Sequence, residues 1–125
     1  MTNLKIMKAL YKRIGQLKRI VLKSHDEMYM SKRLIQMTFV DSFHLTLESL
    51  IRLGNDVDEF RDSPIHSAIL SLFNNPNVEK KLYELVAECE AVGSISELEE
   101  VLRQKRAAIY EFEDALTHIL RSGDE

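Results

Sequence analysis

The chain has no tryptophan, one cysteine, two prolines and four glycines in 125 residues, and each scarcity removes a class of answer. A single cysteine, Cys89, forms no intrachain disulfide and fits a reducing compartment. There is no CxxC, no glycine-rich phosphate loop and no serine-centred nucleophile elbow. Apolar runs such as Ala68-Ile69-Leu70 are far too short to span a bilayer. The basic N-terminal stretch lacks the uninterrupted apolar segment of a secretory signal, so the expected location is cytoplasmic. With few breakers, and no sustained alternation of β-branched and polar residues, the chain reads as all-α.

What is present is a soluble globular composition, 45% hydrophobic and 30% charged. The length is that of one domain able to bury a core unaided. The net charge of −3 hides a division: residues 1–53 hold ten basic and four acidic side chains (+6), and residues 54–125 hold seven and sixteen (−9). Such asymmetry signals either an anionic partner or two halves that attract each other within one fold.

Residues 2–23 carry seven basic side chains and no acidic one. Leu4, Met7, Leu10, Ile14, Leu17 and Val21 recur between them at helical spacing, predicting an amphipathic helix capped by Thr2 or Asn3. In heptad terms Lys5, Lys12 and Arg19 share the position opposite the apolar seam. Gly15 lies inside this helix, tolerated or admitting a close approach. Ser24-His25-Asp26 offers a break, although no Gly or Pro from residue 16 to 53 forbids one continuous helix.

A second helix is expected over residues 26–53, apolar around most of its circumference (Leu34, Ile35, Met37, Phe39, Val40, Phe43, Leu47, Leu50, Ile51) and hence central. Gly54 is its expected left-handed stop. A polar connection tucks Val57 and Phe60 inward. Ser63-Pro64 starts a short third helix, and Asn74-Asn75-Pro76-Asn77 turns the chain. The fourth helix runs to residue 91 along Val78, Leu82, Leu85, Cys89 and Val92, before Gly93. The fifth opens on a capping box at Ser96-Glu97-Leu98-Glu99 and continues to residue 121 along Leu98, Leu102, Lys105, Ile109, Phe112, Leu116 and Ile119, leaving a frayed tail. The expectation is a single all-α domain, a bundle of about five helices.

Arg61-Asp62-Ser63-Pro64-Ile65-His66 has the Arg-x4-His spacing, with a polar second residue, that resembles the HEPN ribonucleases, which are all-helical domains. The resemblance covers these six residues and the fold class. It implies Arg61 and His66 meeting at a dimer interface and acting on RNA, with His66 as acid–base group. Glu97-x-x-Glu100 and Glu111-x-x-Asp114 resemble the magnesium ligands of all-α nucleotide pyrophosphohydrolases. Both pairs fall on one predicted helix, roughly 20 Å apart at 1.5 Å per residue, and read as solvated charges.

His44 and Glu48 stand at i, i+4 without matching ligands elsewhere, so His44 reads as a hydrogen-bonded histidine at the core margin. His118 follows Asp114 by four residues and reads as a surface pair. Cys89, on an apolar seam, reads as an inert core thiol. Lys105 occupies a seam position, where a charge requires a bend, an exposed tip or a carboxylate across an interface.

The functional expectation is a small non-enzymatic interaction protein of regulatory or adaptor type, without cofactor or metal, with Lys5, Lys12, Arg19 and Lys105 as binding residues. Apolar seams on the first, fourth and fifth helices exceed what one small core needs, so a homodimer is expected. The alternative is nucleic-acid binding by the basic face of the first helix, with HEPN-like cleavage by Arg61 and His66 as its enzymatic form.

Overall fold

The computed structural model describes residues 2–22 and 38–124. Among these are six α-helices and one 3-10 turn, with no strand: α1 (Thr2–Leu22), α2 (Thr38–Asn55), the 3-10 turn (Val57–Phe60), α3 (His66–Phe73), α4 (Pro76–Ala91), α5 (Ile95–Gln104) and α6 (Arg106–Asp124). The all-α expectation holds. The helix count rises because the expected fifth helix is two. The expected break at Ser24-His25-Asp26, the first part of the expected second helix with Leu34, Ile35 and Met37, and the side chain of Val21 lie outside the described residues.

The α1 seam drives the bundle. Met7, Leu10, Ile14 and Leu17 are fully buried, with Ile6 beside them and Leu4 half-buried against the core. Burying such side chains contributes on the order of 2 kcal/mol each before entropy is counted. The seam packs chiefly against α4 and α2. Helix α2 supplies Val40, Phe43, Leu47 and Leu50 and also meets α3, α5 and α6. Its opposite face carries Ser42, Leu45 and Ser49 exposed, so over this span it has one apolar stripe rather than an apolar circumference. Phe43 and Phe112 lie 6.4 Å apart between ring centroids, tying α2 to α6.

Local signals set most boundaries. Asn75 caps α4, its side chain accepting from Asn77 N (2.9 Å) and Val78 N (3.4 Å), with Pro76 at the first helical position. Ser94, not Ser96, caps α5. Its hydroxyl accepts from Glu97 N at 3.3 Å, while the Glu97 carboxylate accepts from Gly93 N at 3.2 Å, a reciprocal box two residues earlier than expected. Ser63-Pro64 forms a turn in which the Ser63 hydroxyl accepts from Ile65 N, and α3 begins at His66. At the far end α6 continues through Ser122 and Gly123 to Asp124.

Three expectations are overturned by packing. Asn3 is not a cap: it is 1% exposed, and its amide donates to the carbonyls of Leu72 (3.0 Å) and Asn75 (3.1 Å). Gly54 does not stop α2, since no described glycine has positive φ and the helix runs on to Asn55. A Cβ at Gly54 would stand 2.8 Å from Leu4 Cδ1 and 2.9 Å from Phe73 Cζ, so glycine admits close packing there. Finally, the expected fifth helix breaks at Lys105, whose ψ of 18° departs from helical geometry. The bend turns a charge out of the seam: Lys105 Nζ lies half-exposed, 3.5 Å from Glu88 on α4.

Candidate functional site

Burial of the α1 seam fixes the helix's rotation and thereby decides where its charges go. Lys5, Lys8, Lys12 and Arg19 are exposed, and among the described residues no carboxylate lies within ion-pair distance of any of them. Lys5 to Arg19 spans fourteen residues, a stripe roughly 21 Å long at 1.5 Å per residue. The two remaining described cations of α1 turn inward. Arg13 donates through Nε to Cys89 O (3.2 Å) and through its guanidinium to Val92 O, satisfying carbonyls at the C-terminal end of α4.

Lys18 is the other inward cation. Its ammonium lies 2.7 Å from Asp41 and 3.3 Å from His44 Nδ1, both on α2. An ammonium only donates, so Nδ1 is the acceptor and the ring proton sits on Nε2. Nε2 then donates to the carbonyl of Tyr11, 3.2 Å away, and the imidazole stacks on the Tyr11 ring with centroids 4.0 Å apart. Burial first, and then the charge of Lys18, hold the His44 pKa below its ordinary 6.5, against the opposing Tyr11 carbonyl, Glu48 and Asp41. His44 is therefore neutral at physiological pH, with both ring nitrogens engaged.

Between α1 and α2 this leaves an open cavity of about 440 Å³, lined by Tyr11, Lys12, Gly15, Gln16, Lys18, Arg19 and His44. Gly15 forms part of its wall, and a Cβ there would sit 3.8 Å from His44 Nε2, an ordinary contact. Lys12 and Arg19 are common to the stripe and the cavity. Tyr11, Gly15, Gln16 and Lys18 are also on α1, and His44 closes the cavity only once α1 docks on α2.

The other sequence candidates fall elsewhere. Lys105 is at the α5–α6 bend and pairs with Glu88, so it is not part of the stripe. Arg61 pairs with Asp58 of the 3-10 turn at 3.3 Å, while His66 opens α3 beyond the Ser63-Pro64 turn. Glu97 caps α5 and Glu111 pairs with Lys81 of α4. Among the described residues no group of three His, Cys, Asp or Glu side chains converges on a metal-sized site. Cys89 is buried, and burial pushes its thiol pKa up to about 12.

Among the described residues no ion pair joins the basic half to the acidic half. The described ion pairs are Lys18–Asp41, Arg52–Glu48, Arg61–Asp58, Lys81–Glu111, Arg103–Glu99 and Lys105–Glu88, and each joins residues on the same side of the boundary at residue 53. Helix α1 meets the acidic half through Arg13 and backbone carbonyls instead. No helix of the described residues is long and apolar enough to cross a membrane. No protein-family model, curated protein or solved structure matches the chain.

Proposed function

We propose that this is a helical interaction protein that docks an acidic surface of a partner protein on the exposed face of α1. The row Lys5, Lys8, Lys12 and Arg19, unpaired among the described residues, carries the reading. A long row of cations without internal counter-charges steers and orients an anionic partner, raising association rate and specificity more than affinity. The apolar seams do not by themselves require a second copy. Leu82, Leu85, Cys89, Leu98, Leu102, Ile109, Phe112 and Ile119 are buried within one chain, together with the α1 seam. These seam positions are occupied by the chain's own packing, while Leu45, Tyr83, Tyr110 and Leu120 stay exposed.

Quantitative affinity capture with the wild-type chain and with the Lys5→Glu/Lys12→Glu/Arg19→Glu variant tests the reading. An acidic protein should be retained by the first, lost by the second, and released from the first as salt shortens the screening length. Equal recovery on both removes α1 as the docking face, and light scattering on a sizing column reports any self-association directly.

Nucleic acid is the second reading, favoured by the same acid-free stripe. It has less support because the aromatic ring in this region, Tyr11, is stacked on His44 rather than offered to a base. A gel shift with single- and double-stranded probes at about 50 mM salt decides it. If RNA binds, His66→Ala tests the HEPN-like form: cleavage abolished in a folded variant supports it, and cleavage unchanged or absent from the wild type ends it.

A further inference from the structure

The cavity between α1 and α2 differs in kind from the stripe that runs past it. The stripe is a solvated row of charges, whereas the cavity is a concave site with a braced cation in its wall. Lys18 is held by Asp41 and by a neutral His44, which is itself fixed by the Tyr11 carbonyl and ring. An ammonium has three N–H donors; His44 Nδ1 takes one at 3.3 Å, and Asp41 pairs with the charge at 2.7 Å. Lys12 and Arg19 stand on the α1 side of the cavity with no carboxylate partner among the described residues, and Gln16, one turn after Lys12, lines it too.

We propose that this cavity binds a small soluble phosphomonoester, with Arg19, Lys12 and Lys18 as the phosphate ligands and a sugar-sized body filling the remaining space. Charge selects the monoester. Among the described residues Lys12, Lys18 and Arg19 give three positive charges and Asp41 one negative, a local balance of +2. A phosphomonoester carries about −1.5 to −2 at neutral pH and offers three strong acceptor oxygens. A phosphodiester carries one charge and leaves the site uncompensated. The guanidinium of Arg19 supplies the planar fork that suits phosphate oxygens, and Lys12 and Lys18 act as point charges. Size selects a body: at about 440 Å³ the cavity lies within the range of small-molecule sites and is larger than inorganic phosphate requires. The assignment stands apart from the docking proposal, because it rests on the cavity and Lys18 rather than on the full stripe.

Isothermal titration of the full chain with ribose 5-phosphate, AMP, cyclic AMP and adenosine, at matched ionic strength, tests it. The two monoesters should bind saturably, and cyclic AMP about tenfold or more weaker. Lys12→Ala/Arg19→Ala, both at exposed positions, should weaken the monoesters by at least about tenfold. Lys5→Ala/Lys8→Ala removes the same charge from α1 outside the cavity and should change affinity by less than about twofold. The proposal is overturned if the monoesters fail to saturate, if AMP binds no better than cyclic AMP or adenosine, or if the two double variants lose affinity equally. Tighter binding of a phosphoserine peptide than of ribose 5-phosphate also overturns it, by moving the site to a macromolecular partner.

Discussion

Asn3, on the first turn of α1, donates a hydrogen bond to the carbonyl of Leu72, 69 residues along the chain, at 3.0 Å. The same amide reaches Asn75 O, so one buried side chain fastens the start of α1 to the end of α3 and to the cap of α4. Each carbonyl also has a backbone donor, Asn75 N on Leu72 O and Glu79 N on Asn75 O. Asn3→Ala therefore weakens rather than empties these acceptors and should cost about 1–2 kcal/mol. Asn3→Asp should cost more, since it removes the donors and sets a buried charge against two carbonyl oxygens. Urea unfolding followed by circular dichroism measures both, and an Asn3→Asp variant as stable as the wild type would mean that the amide is not buried.

The glycines of α1 and α2 should respond in opposite directions to alanine. At Gly15 a Cβ meets His44 at an ordinary 3.8 Å, so Gly15→Ala should stabilise by up to about 1 kcal/mol through helix propensity alone. At Gly54 the added carbon stands 2.8 Å from Leu4 Cδ1 and 2.9 Å from Phe73 Cζ, and Phe73 is fully buried. Overpacking of this kind costs about 1–3 kcal/mol and outweighs the propensity gain, so Gly54→Ala should destabilise. Thermal melts of the two variants against wild type give the signs. A stabilised Gly54→Ala would show that Leu4 and Phe73 yield freely.

These contacts also mark what was legible in the sequence. The 4-3 recurrence of Met7, Leu10, Ile14 and Leu17 identified a buried face because apolar periodicity is a local signal. The outward direction of Lys5, Lys12 and Arg19 followed from it. Gly54 resembled a helix stop, yet the reason for glycine there is the approach of Leu4 and Phe73 from two other helices. Ser94 and Ser96 are each followed by Glu at the third position, so the capping pattern fitted both. Burial of Ile95 in the first turn of α5, and the use of Glu99 by Arg103, settle it for Ser94. The cavity itself was not legible. It needs Lys18, Asp41 and His44 side by side, and only the docking of α1 on α2 brings them together.

Cys89 should be inert in the folded chain. Its side chain is fully buried, and its pKa of about 12 against an ordinary 9.0 lowers the thiolate fraction about a thousandfold at pH 8. The largest cause is burial, with Glu88 adding to it and Arg13 opposing. Reaction with a chromogenic disulfide should therefore proceed through opening of the α1–α4 packing, at a rate set by that opening and well below the rate in urea. Labelling in the folded state at a free thiol's rate would show that α4 does not stay docked.

His44 should make stability depend on pH in one direction. Its folded pKa is lowered, principally by burial and then by Lys18, so the unfolded chain binds the proton more tightly. Stability rises with pH wherever the unfolded state holds more protons. The contribution of His44 is thus fully present above the unfolded value of about 6.5 and is lost as pH falls from there through the folded pKa. Protonation also converts Nδ1 from an acceptor of the Lys18 ammonium into a second donor facing it, loosening the Tyr11–His44–Lys18–Asp41 cluster. Melting temperatures between about pH 7.5 and about pH 5 should fall more steeply for wild type than for His44→Phe, which keeps an aromatic ring against Tyr11 without the titration. In an NMR titration the His44 ring protons should shift at a pH below 6.5. Parallel melting curves for the two chains, or a His44 transition above that value, would place the imidazole in water rather than between α1 and α2.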